Sequence, residues 1–339
     1  MKHARFLEIA AKFSTLRIVV CGDFFLDRYL WIDEARAEIS VETGRVAHQV
    51  TGQSCAPGAA GTVVNNIRAL GAHVICIGCV GNDGDGFMLR QELSRIGADD
   101  SLLTVTPDRP TPTYTKPTVR RPDGTFHELE RLDIRSREPL PSQLHHEMAN
   151  QLLSIADTVD AIIFADQMPE AGCGVIGAPI HAAIAQIATT QPHVAMFADS
   201  RQRIGDFRNV LIKPNLHEAS QALGSIVDSA RSADYGRQLY ERTGRPVIVT
   251  LGGDGVMICD TQHTHIPALP VDAPIDVVGA GDSVMAAMAV SVACGATLAE
   301  AAEIAMLVAG VTIRKLGTTG TATSAEISAI GQRYGRWES

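Results

Sequence analysis

The chain predicts an α/β fold with a mostly parallel central sheet covered by helices on both faces, and a small separate β-sheet beside it. Two observations lead there. Short β-branched apolar runs at 16–21, 74–80, 161–165, 194–197 and 246–250 end in Gly, Asp or Thr and alternate with Ala- and Leu-rich helical stretches; such alternation builds a parallel sheet with helices on both sides. Two stretches, about 30–50 and 111–132, instead alternate without a helical period. Being far apart in sequence, they can pair into one small sheet. With 339 residues the chain fits one domain, 1–339, carrying those two insertions.

Taken in order, residues 1–13 mix Lys2, Arg5, Glu8 and Lys12 with apolar residues and read as an amphipathic helix. The strand at 16–21 runs into Gly22-Asp23, with Asp27 four residues on. Ligands gather at such strand ends in open α/β sheets, although acids there also serve as turn residues. Ala56-Pro57-Gly58-Ala59-Ala60-Gly61-Thr62 reads as a small-residue turn opening a helix that ends at Gly71. In the strand at 74–80, Cys76 and Cys79 fall three apart and so point to opposite faces, as core residues. The acidic turn from Gly81 to Gly86 has Phe87 where a calcium loop needs a ligand, so it is a structural turn into a helix reaching Ile96. His145-His146-Glu147 has Asn150 where a zinc helix needs its second His, leaving a solvated helix face.

Asp166 and Asp199 end the next two strands, around a helix at 180–189. The run 210–212 enters Lys213-Pro214-Asn215-Leu216-His217-Glu218. Asn-x-x-Glu at a strand-to-helix junction makes a capping box, and it also sets an amide and a carboxylate where a hydrated Mg²⁺ could sit beside phosphates. The strand at 246–250 leads to Leu251-Gly252-Gly253-Asp254-Gly255, which lacks the Lys-Ser/Thr of a Walker loop. An Ala-rich helical pair, 286–294 and 298–313, closes the pattern.

Composition narrows the function. A formal net charge of −9 without a basic run argues against nucleic-acid binding. Residues 1–13 lack a signal-peptide core, and the apolar stretch 284–293 is too short for a membrane span. Seven irregularly spaced cysteines suit free thiols in the cytoplasm.

The chemistry concentrates in Asp276-Val277-Val278-Gly279-Ala280-Gly281-Asp282-Ser283. Gly279, Ala280 and Gly281 form a turn entering a helix N-terminus, where small residues and unpaired amides bind anions. Asp282 inside that turn repels a phosphate, which makes sense for a base that takes a proton from a nucleophile approaching it. A plain helix cap gives the same spacing.

Asp-x-x-Gly-Ala-Gly-Asp at 276–282 resembles the C-terminal signature of the ribokinase (PfkB-type) sugar kinase family, and further motifs follow the family's order between Arg17 and Thr323. The resemblance implies a ribokinase-like three-layer α/β/α fold with a small β-sheet lid that is often a dimer surface. It implies ATP and Mg²⁺, with Asp282 as the base and the Gly279, Ala280, Gly281 and Asp282 amides as anion hole. Asp27 would hold sugar hydroxyls, with Gly58 beside it. Glu218 would position the metal, with Asn215, Thr250, Gly252, Gly255 and Asp276 at the nucleotide.

Within the family the chain is most similar to D-glycero-D-manno-heptose-7-phosphate kinases, through 22–29, 39–42, Thr115-Lys116, Arg131-Leu132-Asp133 and 315–318. A phosphorylated sugar would then meet Lys116, Arg131 or Arg201. The chain departs from the family at Ala59, Thr62 and Met306, and Gln167-Met168-Pro169-Glu170 replaces a segment that carries a Lys. A nucleoside kinase of the same fold, using Tyr29, Trp31 or Tyr114 against a base, and a catalytically weak sugar- or nucleotide-binding module remain alternatives. A dinucleotide-binding dehydrogenase would need a Gly-x-Gly-x-x-Gly after the first strand, which the chain lacks.

Overall fold

The computed structural model describes residues 1–120, 126–271, 274–317 and 319–338. Two sheets organise it. Helix α1 (His3–Ala10) leads to β1 (Arg17–Gly22), then a long hairpin of β2 (Phe24–Ile39) and β3 (Val46–Ala59) and helix α2 (Ala60–Leu70). Strand β4 (His73–Gly81), α3 (Gly84–Arg95), β5 (Asp99–Thr106), β6 (Thr113–Arg120), β7 (Phe126–Glu128) and β8 (Leu132–Ile134) follow. The middle of the chain contributes α4 (Ser142–Ile155), β9 (Ala161–Asp166), α5 (Ala178–Thr190), β10 (Ala195–Ser200), β11 (Leu211–Ile212), α6 (Leu216–Ala222) and α7 (Ser232–Thr243). The last part gives β12 (Val247–Thr250), β13 (Val256–Cys259), β14 (His263–Ile266), α8 (Ala280–Ala293), α9 (Leu298–Thr312) and α10 (Ser324–Arg333).

The large sheet has the order β14-β13-β12-β11-β10-β9-β1-β4-β5. It is parallel from β12 to β5, and only β13 and β14 run antiparallel to their neighbours. Alternation along β1 explains the two helical layers. Ile18 and Val20 enter the core formed with α2, α8 and α9, while Val19 and Cys21 enter the core formed with α4, α5 and α7. Cys76 and Cys79 divide the same way between the two cores, as their spacing predicts.

The two alternating stretches do join. In the small sheet β3 pairs with β2 antiparallel and β2 with β6 parallel, while β7 and β8 pair with β6. Part of the second stretch, 121–125, lies outside the described residues. The hairpin is longer than the sequence suggests, because 56–59 is the end of β3 rather than a free turn, and α2 starts directly after it. The helix at 142–155 also corrects an expectation. His145 is buried rather than solvated, its ring Nε2 lying 2.9 Å from the Gly174 carbonyl.

Candidate active site

Parallel strands end on one side of the sheet, and this collects acids and a lysine from distant segments. Asp23, just past β1, is consumed by structure: buried, it accepts hydrogen bonds from the amides of Gln167, Met168 and Val175 at 2.7–3.0 Å. Asp166, at the end of β9, is likewise engaged, accepting from Ser200 Oγ at 2.5 Å and Arg203 at 2.6 Å. Asp199, at the end of β10, instead pairs with Lys213 Nζ at 3.2 Å.

Lys213 is buried, and a Cβ placed on Gly281 would stand 3.5 Å from its ammonium. Burial pulls its pKa down, but Asp199, Glu218 and Asp282 together hold it above the ordinary lysine value. Sequence alone gives Lys213 no role. Its position, directly after a strand in the row that ends in Asp199, was the signal available.

The turn before α8 is built for an anion. Gly279 adopts φ 78°, and a Cβ there would press on the methyl groups of Thr62 and Thr319 at 3.3 Å. Thr62 belongs to the start of α2, so the two glycine turns of the sequence meet here. The Ala280 amide donates to the Val277 carbonyl at 3.1 Å, which removes it from the predicted anion hole. Among the described residues the amides of Gly279, Gly281 and Asp282 have no carbonyl partner, and they stand at the positive end of the helix.

Asp282 is the third residue of that helix. Desolvation, then the Asp199 charge, push its carboxyl up to about 7, against the opposing pull of Lys213 and Arg201, with Asp27 adding to the rise. That influence of Asp27 ties the small sheet to the same site.

In the small sheet, Asp27 Oδ1 lies 3.2 Å from Lys116 Nζ, and both side chains are about nine-tenths buried. Lys116 also donates to Tyr29 Oη at 3.2 Å. Gly58 makes room for the acid, since a Cβ on it would sit 2.9 Å from Asp27 Oδ2. Arg131 stacks over the Tyr114 ring at 4.1 Å and forms a two-pronged pair with Asp133 at 2.7 and 2.8 Å. Arg201 donates to Gln167 Oε1 at 2.7 Å, the side chain that stands in the segment without lysine.

Asn215 and Glu218 form the capping box of α6: each side chain takes the other's amide at 2.8 Å. Burial and then Asp199 raise the Glu218 carboxyl, against Lys213. Thr250 bridges to Asn215 in parallel register. With Gly252, Gly255, Ala280 and Gly281 it lines a mainly apolar cleft of about 200 Å³, whose far wall includes Met306. Gly255 needs its φ of 98°, and a side chain there would strike the Ile266 carbonyl. Asp276 holds the loop before the glycine turn, accepting from the amides of Val278 at 3.0 Å and Gly317 at 3.3 Å; in the stretch 315–318, Thr318 lies outside the described residues.

Residues 17–325 match the pfkB family carbohydrate kinases. The chain is 30% identical over 314 residues to the bifunctional protein HldE of Helicobacter hepaticus, covering 92% of this chain and 63% of that protein. It is 32% identical over 321 residues to the HldE of Trichlorobacter lovleyi, covering 93% of this chain and again 63% of the relative. The chain therefore spans less than two thirds of the length of these relatives.

Among solved structures, phosphofructokinase-2 from Escherichia coli in complex with potassium superposes with a TM-score of 0.73 at 18% identity, covering 95% of this chain and all of that one. Arabidopsis thaliana ribokinase complexed with ribose and ATP superposes with a TM-score of 0.69 at 17% identity, covering 93% and 98%. These two likenesses establish a ribokinase-like α/β fold. The family match extends over nearly the whole chain, including every strand end that builds the cleft, and the chain belongs to the pfkB family of carbohydrate kinases.

Proposed function

We propose that the chain transfers the γ-phosphoryl group of ATP to a hydroxyl of a phosphorylated sugar, with a heptose 7-phosphate as the acceptor the residues fit best. The observation that carries this reading is Asp282: a carboxylate raised to about 7, set among unpaired amides at a helix N-terminus and within the field of Asp27. A base with that pKa accepts a proton near neutrality.

In the step itself, the acceptor oxygen forms a bond to the γ-phosphorus as the bond to the ADP oxygen breaks. The hydroxyl proton goes to Asp282. Asp27, held by Lys116 and given room by Gly58, orients the sugar hydroxyls. The amides of Gly279, Gly281 and Asp282, with the Lys213 ammonium, meet the charge that develops on the phosphoryl oxygens. Arg131 over Tyr114, and Arg201, supply cations for the acceptor's own phosphate.

Thr250, Gly252 and Gly255 line the donor cleft, Asn215 caps the helix beside it, and Asp276 shapes the loop that carries the anion-binding turn. Among the described residues no group of three or more His, Cys, Asp or Glu would hold a metal alone. A Mg²⁺ shared with nucleotide phosphates needs only one or two carboxylates, and the mutual repulsion that raises Glu218 against Asp199 is what such a cation relieves. Bound there, it would neutralise phosphate charge.

We further take the small sheet as the lid of one kinase domain and as the contact surface of a homodimer, and the cytoplasm as its compartment; among the described residues no helix is long and apolar enough to cross a membrane. The test is ADP release from Mg·ATP against a panel of sugars, sugar phosphates and nucleosides. Turnover confined to sugar phosphates, with heptose 7-phosphate foremost, is expected. Turnover with nucleosides alone would move the protein to the nucleoside kinases, and silence across the panel would leave a binding module.

A further inference from the structure

The glycine turn before α8 is held from outside by two threonines. Gly279 stands at φ 78° at the head of the helix, and a Cβ added to it would lie 3.3 Å from the methyl carbons of both Thr62 and Thr319. Both threonines are buried. Their methyl groups fill the side on which Gly279 has no side chain of its own. A glycine has both signs of φ open to it, so packing on that side selects the conformation that the turn keeps.

Thr62 differs from Thr319 in what lies behind it. It is the third residue of α2, and α2 follows β3 without a linker: Ala59, at φ 53°, is both the last residue of the strand and the N-cap of the helix. The Ala60 amide donates to the Asp23 carbonyl at 3.0 Å, which fixes the start of the helix beside the end of β1. One residue before Ala59, Gly58 lies against the Asp27 carboxylate. Residues 58–62 therefore run from the acid of the small sheet to the glycine turn. Gly61 leaves no slack in this segment, since a Cβ there would lie 2.4 Å from Pro57 Cβ. The Thr62 hydroxyl reaches only the Pro57 carbonyl, at 3.5 Å, beyond the usual length of an O–H···O hydrogen bond. The methyl is the part of the side chain in firm contact.

We propose that Thr62 is a positioning residue for phosphoryl transfer: its methyl sets the Gly279 turn, and with it Asp282 three residues on, in register with an acceptor held at Asp27. This rests on the reading of Asp282 as the base and Asp27 as the acceptor's ligand. Thr62 itself need touch neither substrate. Loss of its methyl should leave both binding sites in place and spoil only their alignment, and a misplacement of about 1 Å costs about 100-fold in rate.

The experiment measures kcat and both KM values for ADP release from Mg·ATP, with the best sugar phosphate of the panel as acceptor, alongside thermal melts. Thr62→Ser keeps the hydroxyl and removes the methyl. Its kcat should fall by about 10- to 100-fold, while KM for ATP and for the acceptor stay near the wild-type values. Thr62→Val keeps the methyl and removes the hydroxyl at nearly the same shape, and it should retain the wild-type kcat. A wild-type kcat in folded Thr62→Ser overturns the proposal. So does a rise in either KM in place of the fall in kcat, which would make Thr62 part of a binding site. If Thr62→Ser does not fold, Thr62→Val decides alone: a retained kcat supports the methyl, and a kcat lowered by about 10-fold or more assigns the effect to the hydroxyl and overturns the proposal. Failure of the underlying reading looks different, since the wild type then releases no ADP with any acceptor.

Discussion

Asp282 has a pKa near 7 in the fold against 3.8 as its ordinary value, chiefly because burial disfavours its charge. The folded protein therefore holds the proton more tightly than the unfolded chain does. Its contribution to stability is complete below about pH 4 and is lost as the pH rises through about 7. Asp282→Asn removes this dependence. Thermal melts should show the variant gaining on the wild type between pH 4 and pH 7 and holding a constant advantage above; parallel curves would contradict the raised pKa. Asp27→Ala belongs to the acceptor side and should raise the acceptor KM while leaving ATP affinity near the wild-type value, measured by calorimetry. Gly58→Ala should act the same way, because its methyl would meet the Asp27 carboxylate at 2.9 Å. A normal acceptor KM in either variant would remove Asp27 from the sugar.

Helix α6 shows how local chemistry and site construction share residues. Its seven residues are capped by Asn215 and Glu218 in reciprocal hydrogen bonds. Asn215→Ala should cost about 1 kcal/mol, read as a lower midpoint in urea, and should weaken ATP binding through the displaced Glu218. The capping box was legible in the sequence because it is set by residues three apart. The β2–β3 hairpin was only partly legible. Residues 56–59 read as a small-residue turn and 24–28 follow the first strand without a mark of their own, yet across the hairpin Asp27 faces Ala56 and Phe25 faces Gly58. His145 was misread for a related reason. Its helix exposes His146 one position away, and nothing local announces the Gly174 carbonyl, 29 residues distant, that satisfies the buried ring.

Across the whole molecule, the alternation of apolar runs and helices made the α/β class legible, but not the order of strands. That β1 lies between β4 and β9 depends on packing between distant segments. The antiparallel strands β13 and β14, four residues each at one end of the sheet, are too short for periodicity to mark. The site follows the same division. Asp282 and its glycine turn sit in one continuous motif, whereas the Asp199–Lys213 pair joins two strand ends and needed the sheet to become visible. The small sheet leaves apolar side chains on its surface, with Val46 54% and Val50 49% exposed on β3. If that sheet pairs two copies, Val46→Asp with Val50→Asp should shift the protein to a monomer in analytical ultracentrifugation, and an unchanged sedimentation coefficient would place any dimer contact elsewhere.

The claim on which the rest depends is that Asp282 removes the acceptor proton, and the most direct measurement is kcat for ADP release at pH 8 in wild type and Asp282→Asn, with ATP affinity measured alongside. A positioned base contributes about 10²- to 10⁴-fold, so kcat should fall by at least about 100-fold while ATP binds as before. A variant that keeps the wild-type kcat would contradict the mechanism and return Asp282 to the part of a helix-terminal acid.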